Sequence, residues 1–355
     1  MPNTMNQLSL LLDTRTYAQN ANRFGIEDPA LAFYRGLGIM RETTIPTTHA
    51  RVNVHDEKGH LANFLARGVT VTDASKIKLE AVIRKTPKLL ATVTFGADEF
   101  QDIRYYFQAN DAVGLRSYVD AMAILKKNEI DRTLAYMISG TINGEIVNPD
   151  DTSEVYFDMF DMFDRAGLGK QTGTFKLVPT NFNESLLNKA MAWKKNLIAL
   201  HLGKTSFTRF ICLVGSEAKS GIYSSEFLQR YLSRNEPQLF ARGIVDVNAQ
   251  ATVSDAWITK FDGTEYYDAS ALMIQTKSGI QQLVGDKDVK FIGVTPEGMG
   301  VMFGLSDRVD NQAPSKIFTH YTEDNIDRLW AKLDMTSFPF PYNAFPTATI
   351  HATGV

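Results

Sequence analysis

The stretch from Ala112 to Ile138 most limits what this chain can fold into, because it reads as one continuous helix too long for a small core to cover. Leu115, Val119, Met122, Leu125, Ile130, Leu134 and Met137 recur at helical intervals, interrupted once by Lys126-Lys127-Asn128-Glu129. At about 1.5 Å per residue the helix would run about 40 Å, against roughly 30 Å across a small domain. A helix of that length acts as a strut with separate lobes packed along it. After it, Gly140 to Asp151 reads as a short strand and turn, and Tyr156 to Asp164 closes the segment with aromatics, methionines and acids.

With 355 residues the chain predicts two or three lobes. Its net charge of −3 argues against a dedicated nucleic-acid binder, which carries a basic excess, yet permits a surface lying beside nucleic acid. The one cysteine, Cys212, sits in the apolar run Phe210–Val214. A disulfide within the chain is impossible, and a buried strand cysteine in a reducing compartment is the expectation. No apolar run reaches the length of a membrane span, and Leu8–Leu12 is too short for a secretory core, so no membrane partner and a cytoplasmic site of assembly are expected.

Taken in order, residues 1–46 look like an arm, with apolar patches at Leu8–Leu12 and Leu31–Ile39 that must pack on the rest of the chain or on a neighbour. Residues 47–95 read as extended β structure, with alternation over Arg51–His55, Val69–Thr72 and Ile77–Arg84, a stop at Pro87 and another strand over Leu90–Phe95. Lys76, Lys78, Glu80, Arg84, Lys85 and Lys88 face outward in this pattern. They mark either a solvated hairpin face or a ribbon lying over a neighbour, since a two-stranded ribbon is marginal alone. A short helix is expected over Ala97–Arg104. Further helices are expected after an Asn183 cap with a stop at Gly203, around Phe227–Leu232, and over Asp324–Leu333. Strands are expected over Gly173–Val178, Phe207–Val214, Leu239–Val247, Trp257–Thr259, Ala271–Thr276, Ile280–Val284 and Val289–Val294, the spacing of a mixed α+β unit.

Chemistry-bearing motifs are weak. Gly167-Leu-Gly169-Lys170 lacks both the earlier glycine and the following Ser or Thr of a phosphate loop. Gly298-Met-Gly300 misses dinucleotide spacing and fits a turn between strands. His55 and His60 flank a turn with poor geometry for one metal, and Asp158, Asp161 and Asp164 lack the alternate oxygens of a calcium loop. No catalytic residue, cofactor or metal site is assigned, and the chain reads as a non-enzyme. A cytoplasmic α+β enzyme with a dispersed active site is the alternative from another class.

Several stretches resemble the lambda-type family of tailed-bacteriophage major capsid proteins, with the HK97-like fold. They are Phe33-Tyr-Arg-Gly-Leu-Gly-Ile-Met-Arg-Glu-Thr-Thr-Ile-Pro46, Phe95–Arg104, Ile124–Ile142 with Phe160-Asp-Met-Phe-Asp164, Ile211–Ser216, Lys290–Gly300 and Ser337–Thr349. The resemblance implies an α+β capsid fold. It would comprise an N-terminal arm (1–46), an extended β-hairpin loop (47–95), a peripheral domain (96–182 and 321–355) with a spine helix at 112–138, and an axial domain (183–320). It implies a coat protein that assembles as hexamers and pentamers into an icosahedral shell around double-stranded phage DNA. A separate scaffolding protein, a portal and a decoration protein are expected partners. An encapsulin compartment, which shares the fold, is the near alternative. Subunit-interface candidates are Arg51, Arg67, Lys76, Lys78, Arg84 and Lys85 on the loop. On the spine they are Lys126, Lys127, Glu129, Asp131 and Arg132, a run expected to be exposed or to meet a neighbour.

Overall fold

The computed structural model describes residues 28–56, 78–96, 112–148, 154–163, 169–202, 205–224, 256–276, 279–296, 298–307, 314–323 and 330–355. In chain order they form helix α1 (Pro29–Leu37) and strands β1 (Arg41–Thr44), β2 (His49–Asp56), β3 (Lys78–Lys85) and β4 (Leu89–Gly96). Helix α2 (Ala112–Asn143) follows, then β5 (Glu145–Val147), β6 (Val155–Asp158), the one-turn helix α3 (Met159–Met162) and β7 (Gln171–Phe175). Next come helix α4 (Leu186–Leu200), β8 (Arg209–Val214), helix α5 (Ser216–Ser224), β9 (Trp257–Phe261), β10 (Thr264–Asp268), β11 (Met273–Thr276) and β12 (Gly279–Gln282). The rest is β13 (Asp288–Val294), β14 (Met299–Phe303), β15 (Phe318–Glu323), β16 (Trp330–Ser337), β17 (Pro339–Asn343) and β18 (Thr349–Gly354).

A six-stranded mixed sheet, β7-β18-β13-β8-β10-β9, is the centre of the larger lobe. Side chains alternate across it. Phe210, Cys212 and Val214 of β8 join Tyr266, Phe291 and Ile350 on one face, covered by Leu187, Ala190, Trp193 and Leu197 of α4 and by Ala218 and Ile222 of α5. Ile211 and Leu213 join Tyr267 and Ile292 on the other, under α1 and under Leu134, Ala135, Ile138 and Ile142 of α2. Coverage of both faces explains why β8 is apolar at nearly every position instead of alternating with polar residues. Burial of Leu134, Ile138 and Ile142 stabilises the joint by roughly 2 kcal/mol each.

Two smaller sheets, β1-β14-β17 and β15-β16-β4, flank this lobe, and β2 with β3 forms a separate antiparallel ribbon. At the ribbon's base Ala50 and Val52 are buried with Met137, Ile146, Met159, Phe163 and Phe340. The C-terminal half of α2 is therefore clamped on two sides, by this cluster and by the sheet. Its half of the arm is also accounted for within the subunit: α1 packs on α2, and β1 pairs in parallel with β14.

Several sequence expectations need correction. The long helix does not stop near Ile138 but runs to Asn143, so Gly140–Asn143 is helix and not strand and turn. Gly140 serves close packing, since a Cβ there would lie 2.8 Å from the Glu145 carbonyl oxygen, and the stop is Gly144, whose φ of 86° only glycine adopts freely. Helix α4 is capped by Ser185, which accepts from the Asn188 N–H at 3.3 Å, because a 3-10 turn at Phe182–Glu184 delays the start expected at Asn183. Trp330–Leu333 is strand and not helix, because it pairs with Gly96–Val93 of β4 and with β15. The axial boundaries at 182/183 and 320/321 are crossed by hydrogen bonding, since β7 and β18 complete the six-stranded sheet from outside that segment. The expectations at Leu8–Leu12, Val69–Thr72, Ala97–Arg104, Phe227–Leu232, Leu239–Val247, Gly203, His60, Asp164 and Gly167 lie outside the described residues. Among the described residues no helix is long and apolar enough to cross a membrane.

Candidate assembly surfaces

The charged break of α2 resolves into two halves. Lys127 and Asp131 are buried and paired at 2.8 Å across one helical turn, which corrects the expectation that this whole run faces outward. Burial raises the Asp131 carboxyl, and the bond from Lys127 offsets part of that rise. Lys126 and Glu129, on the opposite side, form an exposed pair at 2.6 Å. Arg132 reaches across to the arm, where its Nε donates to Asp28 Oδ2 at 3.0 Å, and Asp28 Oδ1 accepts from the Ala30 N–H to cap α1. The break in the apolar stripe is thus a joint between spine and arm, and only Lys126, Glu129 and the half-exposed Arg132 remain at the surface.

On the ribbon, β2 and β3 pair from His49↔Lys85 to Asp56↔Lys78. Alternation buries Val52 and turns Arg51 and Ile83, which are register partners, outward; Ile83 is 58% exposed. Lys85 is exposed on the same face, and Arg84, which pairs with Ala50, is exposed on the opposite one. Lys78 lies in β3 opposite Asp56, whereas Arg67 and Lys76 lie outside the described residues. Arg51, Ile83 and Lys85 thus share one face of the ribbon, whereas Arg84, opposite Ala50, lies on the other, and the spine candidates are likewise divided.

Sequence reasoning missed three polar joints. Glu42 on β1 accepts from both Arg35 of α1 and Lys316; burial opposes its ionisation, but these two cations outweigh it and hold the carboxyl below its usual range. Arg35 and Glu42 flank the Gly38 turn, where φ is 59°, so a charge pair bracketing a helix stop was the available signal. Lys290 of β13 is buried against α2, donating to Leu283 O at 2.7 Å and to Ser139 Oγ at 3.2 Å. Burial, with Lys170 nearby, lowers its pKa to about 7. Its register partner His351 is lowered to about 3 by burial and by Lys170 and Lys290. The third is Asp158, whose Oδ1 accepts from the Phe160 and Asp161 N–H groups and caps α3. One acid of the acidic-aromatic close is thus a cap. Cys212 is fully buried and burial pushes its thiol well above the usual range, which leaves it unreactive at neutral pH.

An arm helix docked on a long spine, a two-stranded ribbon leaving the body, and a sheet lobe covered on both faces define an HK97-like shell subunit. The same fold occurs in the putative capsid protein of a prophage from E. coli CFT073, with a TM-score of 0.53 and 11% identity over 96% of this chain and 99% of that one. It occurs also in the mature capsid of bacteriophage PhiM1, with a TM-score of 0.50 and 12% identity over 90% and 86%. No curated protein sequence matches this chain. Residues 29–354 match the model of the family described as phage major capsid protein E, and the chain belongs to that family. It is a shell-forming structural protein of the phage capsid, and the encapsulin alternative is not favoured.

Proposed function

We propose that this subunit assembles as hexamers and pentamers into an icosahedral shell around double-stranded phage DNA, in the host cytoplasm, without catalysing a reaction. The observation that carries this reading is the ribbon of β2 and β3. Among the described residues its strands pair only with each other; one face presents Arg51, Ile83 and Lys85, and Arg84 is exposed on the other. A ribbon of this kind is marginal in water, so a neighbouring subunit is its natural support. The net charge of −3 suits an inner wall that tolerates DNA without gripping it.

Many weak contacts engaged together make a closed shell stable while letting misplaced subunits leave. Lys126 and Glu129 on the spine, and Arg51, Lys78, Arg84 and Lys85 on the ribbon, are the proposed contacts. Arg67 and Lys76 belong to the same loop. A separate scaffolding protein sets curvature, a portal fills one vertex, and a decoration protein is a further partner. Electron microscopy of purified material with nuclease digestion tests the reading: uniform shells protecting DNA are expected. A stable monomer of about 40 kDa at every concentration, consistent with the chain mass of 39.7 kDa, would sink it. Shells of correct size from this chain expressed alone would remove the scaffold.

A further inference from the structure

The larger lobe leaves apolar side chains uncovered on both of its outer sides. Helix α4 lies over the Cys212 face of the six-stranded sheet, and its own outer side carries Met191, Lys195 and Ile198, continued by Leu202, at helical spacing. Ile198 is 43% and Leu202 78% exposed. Between this stripe and the β9–β10 turn is an open groove of about 210 Å³ lined by Met191, Lys194, Lys195, Ile198 and Asp262. At the turn Asp262 and Gly263 both have positive φ, and Lys194 donates to the Asp262 carbonyl and carboxylate. Helix α4 carries Lys189, Lys194 and Lys195 and no acid.

The β11–β12 hairpin follows Ala269 and Leu272 on the other side of the sheet, where Ile274 joins the core formed by α1 and α2. Register places Met273, Gln275, Ile280 and Gln282 together on the hairpin's opposite, outward surface, with Ile280 72% exposed. Gln282 donates to Asp286 at 3.3 Å, so a carboxylate closes this patch. One patch is apolar with cations, the other apolar with amides and an acid. Opposite sides of one lobe cannot meet within a chain, but they meet head to tail between rotated copies, the arrangement that closes rings.

We propose that the outer face of α4 in one copy receives the outward face of the β11–β12 hairpin of the next, with Ile280 in the groove between Met191 and Ile198 and Lys195 facing Asp286. The inference rests on the shell reading above and names one of its contacts.

Ile280→Lys sets a cation against the cationic α4 face, and Ile280→Glu does not. Particle yield is expected to fall about tenfold or more for Ile280→Lys, while Ile280→Glu keeps most of it. Adding Ile198→Glu to Ile280→Lys is expected to restore assembly. Circular dichroism of unassembled subunits confirms that each variant folds. Normal particles from Ile280→Lys, equal losses from both substitutions, or no restoration by Ile198→Glu each overturn this contact. A stable monomer from the unaltered chain at every concentration would instead overturn the shell reading itself.

Discussion

Gly144 holds the junction between spine and hairpin by two independent constraints. Its φ is 86°, and a Cβ would lie 2.4 Å from the Phe160 ring. Gly144→Ala is therefore expected to destabilise the subunit by about 2 kcal/mol or more in chemical unfolding, from backbone strain and overpacking together. Lys290 acts through ionisation. Its folded pKa of about 7 lies below the ordinary 10.5, so between those values the unfolded chain binds more protons and stability rises with pH. Below about pH 7 the penalty for charging the buried amine is fully present. Lys290→Met is expected to be more stable relative to the unaltered protein at pH 7 than at pH 10.5, by a few kcal/mol at most, and to flatten that slope in urea titrations. His351 sets an acid limit by the same logic, since with a folded pKa near 3 against 6.5 it makes stability fall as pH drops through that interval. His351→Gln is expected to lose less stability between pH 6.5 and pH 4.

Among elements, the spine carries a buried ion pair on one side and an exposed one on the other. Lys127→Met leaves Asp131 buried without its partner and is expected to destabilise the monomer by about 3 kcal/mol, whereas the double change to apolar residues recovers most of that. Reversing the exposed Lys126–Glu129 pair with Lys126→Glu and Glu129→Arg, on the proposed assignment, leaves melting unchanged within a degree or two while lowering particle yield. If yield is normal, that contact is wrong. The same helix shows what the sequence could reveal. Its period and length follow from local spacing, so its existence was readable, but whether Lys127 faces water depends on Asp131 and the neighbouring arm, which spacing does not encode. Strand β16 was misread because its partner β4 lies more than two hundred residues earlier, and pairing at that range overrides local helical tendency. The short run Phe210–Val214 was readable because a strand covered on both faces needs apolar residues throughout.

For the whole subunit, the ribbon's outward surface was partly legible as a row of cations, whereas the two patches of the larger lobe were not. Ile198 and Ile280 look like ordinary core residues until the sheet shows which side each faces. Sheet order carries a further consequence. Strand β18, from residues 349–354, lies inside the six-stranded sheet between β7 and β13. The sheet cannot close without these residues, so β7 and one edge of β13 stay unpaired until β18 is seated between them. Completion of the larger lobe thus waits on the docking of β18, and the proposed α4 and hairpin contacts form on a lobe whose sheet is closed. The topology thereby ties a closed sheet to a single late-docking strand; a chain truncated after Ala348 is expected to accumulate as aggregate and to enter no particles.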